Sequence, residues 1–109
     1  MKDGLSIDEA GSKFWYLNGE QHREDGPAVE HTTGYKSWFL HGQRHRTDGP
    51  AVENVNGDKQ WYLHGKRHRD DGPAIELANK YKEWYLHGEQ CTEEEFILKT
   101  SKFWQKVSL

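Results

Sequence analysis

One cysteine, Cys91, stands in 109 residues. It excludes an internal disulfide framework and suits a reducing compartment. Long apolar runs are missing too, so the sequence offers neither a signal-peptide core nor a membrane span. Nor is there a run of Lys or Arg, and the formal charge is −3. Nucleic-acid-binding and membrane-surface proteins usually carry a basic stripe, so both partners are disfavoured. These absences predict a soluble, cytoplasmic protein. Hydrophobic residues make up only 33% of the chain against 30% charged, which argues against a deep, closed core. Aromatics are what the chain has in plenty: five Trp, five Tyr and four Phe. A disordered chain does not carry so many. A polar sequence with large rings predicts a thin sheet, one or two side chains deep.

Internal repetition dominates the sequence. Trp15, Trp38, Trp61 and Trp84 follow one another at a constant interval of 23 residues. The copies read WYLNGEQHREDGPAVE from Trp15, WFLHGQRHRTDGPAVE from Trp38 and WYLHGKRHRDDGPAIE from Trp61. A fourth begins WYLHGEQ at Trp84 and then breaks the pattern. Lys13, Lys36, Lys59 and Lys82 each precede a repeat Trp by two positions. A half copy stands in front: Asp3-Gly4-Leu5-Ser6-Ile7-Asp8 parallels Asp25-Gly26-Pro27-Ala28-Val29-Glu30, with one residue fewer in the loop between. The chain divides into a half repeat (3–11), repeats at 12–34, 35–57 and 58–80, a terminal repeat (81–91) and a capping helix (92–107).

Each unit reads as two strands and two turns. Lys59 to His64 is rich in strand formers, with Trp61 and Leu63 on one face and Tyr62 and His64 on the other. Gly65 ends this strand. Pro73 to Glu76 makes a short second one, with Pro at the first position, where no ladder donor is needed. Asn56-Gly57 is a strong hairpin signal. Ala10-Gly11, Thr33-Gly34 and Asn79-Lys80 hold its place in the other units, Asn79 standing in for Gly at positive φ. The expectation is an antiparallel meander of roughly eight strands, about 4.8 Å apart and nearly 40 Å long. In the fourth unit, Thr92 with Glu95 is a capping box, and an acidic first turn favours a helix N-terminus. A helix from about Glu93 to Lys106 is predicted, with Phe96, Ile97, Phe103, Trp104 and Val107 as its apolar stripe. It would cover the last hairpin, as the ends of such arrays commonly do. The N-terminal edge has only the half copy to protect it.

The period of 23 residues, with Tyr81-Lys82-Glu83-Trp84 leading into a strand and His64-Gly65-Lys66-Arg67-His68 at a turn, resembles the MORN family of β-hairpin repeats. The His-Arg-x-Asp-Gly-Pro-Ala core is more closely similar to the MORN-like repeat proteins of bacteriophages and giant viruses. In those the last repeat likewise runs into a helix, as at Thr92-Glu93-Glu94-Glu95-Phe96 here. The similarity spans Asp3 to about Lys99, and it departs from the usual MORN pattern where Arg-x-Asp-Gly-Pro replaces Gly-x-Gly. It implies an open solenoid with a scaffold or interaction role. Its viral members imply a product that acts on host machinery.

His22-Arg23-x-Asp25, His45-Arg46-x-Asp48 and His68-Arg69-x-Asp71 have the residue types of a general acid–base pair beside an anion-holding Arg. They recur in every complete unit, however, as ladder residues of a solenoid do, whereas active sites are single. The structural reading is therefore preferred, with Arg paired to Asp and Asp receiving turn N–H groups. His41, His64 and His87 should stack along one face. Neighbouring copies would lie about 10 Å apart, too far to share a zinc ion at about 2.1 Å per ligand. No metal and no cofactor are expected. Cys91 could have its pKa lowered at a helix start, but no triad assembles around it.

The aromatics are the better functional signal. Trp15, Trp38, Trp61 and Trp84 with Leu17, Leu40, Leu63 and Leu86 form the expected repeat core. Tyr16, Phe39, Tyr62 and Tyr85, with His41, His64 and His87, form the candidate partner-binding face. The leading expectation is a non-enzymatic interaction module, viral in origin, that binds and inhibits a host protein such as a defence or nucleic-acid-handling complex. Two others compete with it. One is a sponge for a nucleotide signal, with Arg23, Arg46 and Arg69 meeting phosphates. The other is a self-assembling structural protein, for instance a homodimer.

Overall fold

The computed structural model describes residues 3–101. Among them are fourteen short strands and one helix, and the molecule measures 55 × 31 × 19 Å. The main sheet has ten strands. Gly4–Ile7, Lys13–Leu17, Val29–Glu30, Lys36–Ser37, Val52–Glu53, Lys59–Gln60, Ile75–Glu76, Lys82–Leu86 and Glu89–Cys91 lie side by side in chain order, and Glu20–Gln21 pairs with Lys13–Leu17. Every pairing is antiparallel and the sheet stays open, an unclosed meander.

The units are more finely divided than an eight-strand reading suggests. Lys13–Leu17 and Lys82–Leu86 are continuous, but in the two central units the ladder is interrupted at Trp38 and Trp61. These residues act as hinges between two levels of pairing. The N–H of Trp38 donates to the carbonyl of Ala51 at 2.8 Å, and its own carbonyl accepts from the N–H of His45 at 3.1 Å. Trp61 does the same with Ala74 (2.8 Å) and His68 (3.1 Å). Before the Trp, the strand joins the main sheet. After it, Phe39–Leu40 pairs with Gln43–Arg44, and Tyr62–Leu63 with Lys66–Arg67. Backbone bonds tie these hairpins together: Gly42 N–H to Gln21 O (2.9 Å), Gly65 N–H to Arg44 O (2.8 Å), Gly88 N–H to Arg67 O (2.8 Å).

Those second hairpins correct the sequence reading at His64 and Gly65. Gly65 does not merely end a strand. Asn18-Gly19, His41-Gly42, His64-Gly65 and His87-Gly88 are two-residue turns with positive φ at both positions, 53/80°, 48/77°, 49/80° and 53/85°. That geometry matches the twist of the flanking strands. The His residues therefore sit at turn tips and not on a sheet face. The other turns close over three residues, with Gly11, Gly34, Gly57 and Lys80 in the left-handed conformation. At the last of these the residue with positive φ is Lys80 (75°), in the Gly position, and not Asn79. Asn79 contributes its side chain instead, accepting from Tyr81 N–H at 3.0 Å.

Cross-strand register sorts the residues into two rows. Ser6, Phe14, Val29, Ser37, Val52, Gln60, Ile75 and Glu83 are successive partners on one side. Ile7, Lys13, Glu30, Lys36, Glu53, Lys59, Glu76 and Lys82 follow on the other. From Lys13 onward the second row alternates in sign, so each charge from Glu30 to Glu76 faces opposite charges across both neighbouring strands, a favourable arrangement. The buried apolar residues belong to the short strands: Ala28, Ala51 and Ala74 are fully buried, and Val29, Val52 and Ile75 nearly so. Tyr62 is buried against Ala51 and Val52, with Tyr35 and Trp38 packed on the same cluster. The repeat Trp and Leu side chains are only half-buried. Small residues in the Ala-Val strands let the layers approach closely, and the large rings form the outer wall of this thin core.

The half repeat is slipped by one residue. In full units Val29 faces Phe14 and Glu30 faces Lys13, whereas in the half copy Ser6 faces Phe14 and Ile7 faces Lys13. The shorter linker explains the slip: five residues separate Ile7 from Lys13, as five separate Glu30 from Lys36, so the same turn forms in both. Turn geometry fixes the register, and a one-residue slip turns every side chain over. Leu5 and Ile7 consequently point outward on an edge strand, 49% and 57% exposed.

At the far end the helix Glu93–Thr100 has the expected capping box. The Thr92 hydroxyl accepts from Glu95 N–H at 3.1 Å, and the Glu95 carboxylate accepts from Thr92 N–H at 2.8 Å. The helix is shorter than the sequence reading: Ser101 is extended (φ −71°, ψ 119°), and the rest of the expected span, with Phe103, Trp104 and Val107, lies outside the described residues. Phe96 is buried against the last hairpin, while Ile97 and Leu98 stay exposed. Among the described residues no helix is long and apolar enough to cross a membrane.

Candidate functional site

The Arg-x-Asp-Gly-Pro segment builds the same device three times. The guanidiniums of Arg23, Arg46 and Arg69 lie 3.8 Å above the rings of Trp15, Trp38 and Trp61. On their other side is a glycine: a Cβ on Gly26, Gly49 or Gly72 would come within 2.9 Å of the guanidinium carbon. Glycine leaves room for the guanidinium there; a larger residue would push the flexible end of the Arg off its ring. Nε of each Arg donates to Asp25, Asp48 or Asp71 at 2.8–2.9 Å. Nη1 donates to the carbonyl of Pro27, Pro50 or Pro73 at 3.0–3.1 Å. The same nitrogen meets Glu30 at 3.6 Å, Glu53 at 3.1 Å and Glu76 at 2.6 Å. The hydrogen bond and charge of Arg23 and Arg46 hold the Asp25 and Asp48 carboxyls below the usual range. These three Arg, the candidate phosphate binders, are thus engaged by a ring, a carbonyl and two carboxylates each. Between consecutive loops lie two open clefts of about 410 and 570 Å³, the first lined by Trp61 and Leu63, the second by Trp38 and Leu40, both rimmed by loop carboxylates such as Asp48.

The His residues also pair between units. His22 and His41, His45 and His64, and His68 and His87 place their ring centroids 4.4 Å apart. Nδ1 of the first accepts from the backbone N–H of the second at 2.9 Å in all three. His41, His64 and His87 therefore do not stack on one another; each caps the His of the preceding unit. Among the described residues no three His, Cys, Asp or Glu converge on a point where an ion could sit.

The aromatic side holds what the sequence reading missed. Arg44 lies between Phe39 and Tyr62, with its guanidinium carbon 5.5 and 5.6 Å from the two ring centroids. Arg67 lies between Tyr62 and Tyr85 at 5.7 and 5.5 Å. The row Phe39, Arg44, Tyr62, Arg67, Tyr85 thus alternates ring and cation along the array. Gln21 and Gln90 take the Arg position beside Tyr16 and Tyr85 in the first and last units. Unlike the Trp-stacked Arg, Arg44 and Arg67 have no carboxylate within 4.0 Å among the described residues, and each buries its Nε–H without an acceptor. A shallow cleft of about 330 Å³ opens beside Arg44, walled by Phe39, Gln43 and Tyr62.

Of the four ring residues proposed as a partner face, Tyr62 is 9% exposed and belongs to the core cluster; Tyr16, Phe39 and Tyr85 are half-buried. Tyr62 donates its hydroxyl to Gln60 at 3.0 Å, and Tyr85 donates to Glu83 at 3.0 Å. Glu83 also receives the Tyr81 hydroxyl; these bonds, with Arg67 nearby, hold its carboxyl low. Cys91 is buried, and burial pushes its thiol up, away from a reactive thiolate. The signal that could have revealed Arg44 and Arg67 was their alternation with the Tyr row, one residue before the His of each motif. No protein-family model matches the chain, and no curated protein or solved structure shows significant similarity to it.

Proposed function

We propose that this chain is a non-enzymatic protein-interaction module that engages its partner through the aromatic side of the sheet. The observation that carries this reading is the contrast between the two sets of Arg. Arg23, Arg46 and Arg69 are saturated by internal partners, whereas Arg44 and Arg67 stand in a row of rings with no carboxylate within 4.0 Å among the described residues. Aromatic and Arg side chains are the residues most enriched where proteins bind each other tightly. The repeated polar clusters support a non-catalytic role, since each recurs unit by unit with its partners inside the fold.

The resemblance to repeat proteins of bacteriophages and giant viruses supports a host protein as the partner and its inhibition as the outcome. Affinity capture from host cells, read by mass spectrometry, tests the reading. A host protein recovered at a fixed stoichiometry is expected. Capture of nothing by protein shown to be folded would overturn it.

A further inference from the structure

We infer that Arg44 and Arg67 form a two-point receptor for an extended acidic segment of the partner, with one carboxylate received at each Arg. The inference rests on the interaction-module reading and names the chemistry of what that face takes.

A guanidinium with no ion pair within 4.0 Å among the described residues is a place for a carboxylate, the partner its geometry suits best. The Trp-stacked Arg each carry carboxylates, whereas this row has none within 4.0 Å among the described residues; Glu83, near enough to feel the charge of Arg67, is taken up by the hydroxyls of Tyr81 and Tyr85. Ring stacking is already taken up internally: Tyr62 has an Arg on either side and is buried, so it has no free face for a nucleobase. The occupant is therefore recognised by its anionic groups and not by a flat ring.

Spacing sets the second condition. Arg44 and Arg67 are one unit apart, separated by two strand steps, or about 10 Å. A polyproline-II chain advances about 3.1 Å per residue with three residues per turn, so carboxylates at positions i and i+3 lie on one side about 9 Å apart and would reach both guanidiniums. The cleft beside Arg44 is also walled by Tyr62 and Gly65 of the next unit, so it opens in the direction of Arg67.

The array itself provides a control. Gln21 and Gln90 occupy the Arg position in the outer units without disturbing the hairpin, so Arg44→Gln and Arg67→Gln should fold. The probe is a short fluorescein-labelled peptide with Glu at every third position and Ser, Thr and Gly between, followed by anisotropy at low and physiological salt. Wild type should bind it at least tenfold tighter than the same peptide with Gln for Glu. Affinity should fall with added salt, and the double variant should lose that preference. Equal binding of the Glu and Gln peptides, or unchanged binding by a folded double variant, would overturn the inference. So would displacement of the peptide by a cyclic dinucleotide at lower concentration than by unlabelled Glu peptide, which would assign the row to nucleotides. A host protein captured equally by wild type and double variant would sink this inference while leaving the interaction module standing.

Discussion

His45 accepts, through Nδ1, a hydrogen bond from the backbone N–H of His64 at 2.9 Å, and the two imidazoles lie 4.4 Å apart. An Nδ1 that accepts cannot carry a proton, so the neutral ring with its hydrogen on Nε2 is the form that joins one unit to the next. Burial first, and repulsion from the neighbouring His second, lower the pKa of His45 and His68 below the usual imidazole value. For a His with a lowered folded-state pKa, the unfolded chain binds the proton more readily. The stability from these links is therefore full above about pH 6.5 and drains as pH falls below it. Asp25 and Asp48, whose carboxyls their Arg partners hold low, lose stabilisation in the same direction at more acid pH. The melting temperature should fall by a few degrees between pH 7.5 and pH 5.5. His45→Asn with His68→Asn, which keeps an acceptor but cannot titrate, should flatten that first step. A slope unchanged in the double variant would refute the assignment.

The sandwich of Trp38, Arg46 and Gly49 makes a separate test. Arg46→Met keeps much of the stem but removes the cation over the ring and the bonds to Asp48, Pro50 and Glu53. It should cost about 1–3 kcal/mol. Gly49→Ala puts a methyl 2.9 Å from the guanidinium carbon, so the flexible end of Arg46 must shift off its ring, at a cost no greater than the loss of the stack and its bonds, about 1–3 kcal/mol. Because both act on one stack, the double variant should be well short of additive. Urea unfolding followed by Trp fluorescence measures all three. Full additivity would show that Gly49 is needed for some other reason.

The slipped half repeat predicts an unequal response from residues that align in sequence. Ile7 corresponds to Val29, yet Ile7 is 57% exposed and Val29 is 5% exposed. Ile7→Thr should change stability by no more than about 0.5 kcal/mol. Val29→Ala should cost about 1–3 kcal/mol through lost burial and an unfilled cavity. Similar losses in chemical denaturation would mean that the half copy keeps the register of the full units.

Cys91 should resist a thiol reagent such as dithionitrobenzoate in the native protein and react rapidly in urea, because it is buried and its thiol is held protonated. A fast native reaction would place the side chain at the surface.

Much of the fold could be read from the chain because a period of 23 residues forces every unit to solve the same packing problem. The interval between the Trp residues gave the open meander, Asn56-Gly57 a hairpin, and Thr92 with Glu95 the helix start. Three features escaped for physical reasons. His at positive φ lacks the usual Gly or Asn signature, so His64-Gly65 read as the end of a strand; Asn18-Gly19 in the same place was the available clue. Leu5 and Ile7 carry the right pattern for burial, but loop length, and not pattern, sets their register. Repetition itself hid Arg44 and Arg67: attention falls on the Arg present in every complete unit, and these two stand only in the central ones.

Phe14, Ser37, Gln60 and Glu83 occupy one position of the unit, each immediately before its Trp, and they share a single cross-strand row. Around them the framework repeats almost letter for letter. The molecule is therefore a ruler with a writable column, whose marks run from an apolar ring to a carboxylate from one end to the other. Three of the marks, Phe14, Gln60 and Glu83, are partly open to solvent, whereas the mark at Ser37 is closed over at 1% exposure, so the ruler is read at its ends and third unit and is blank at the second.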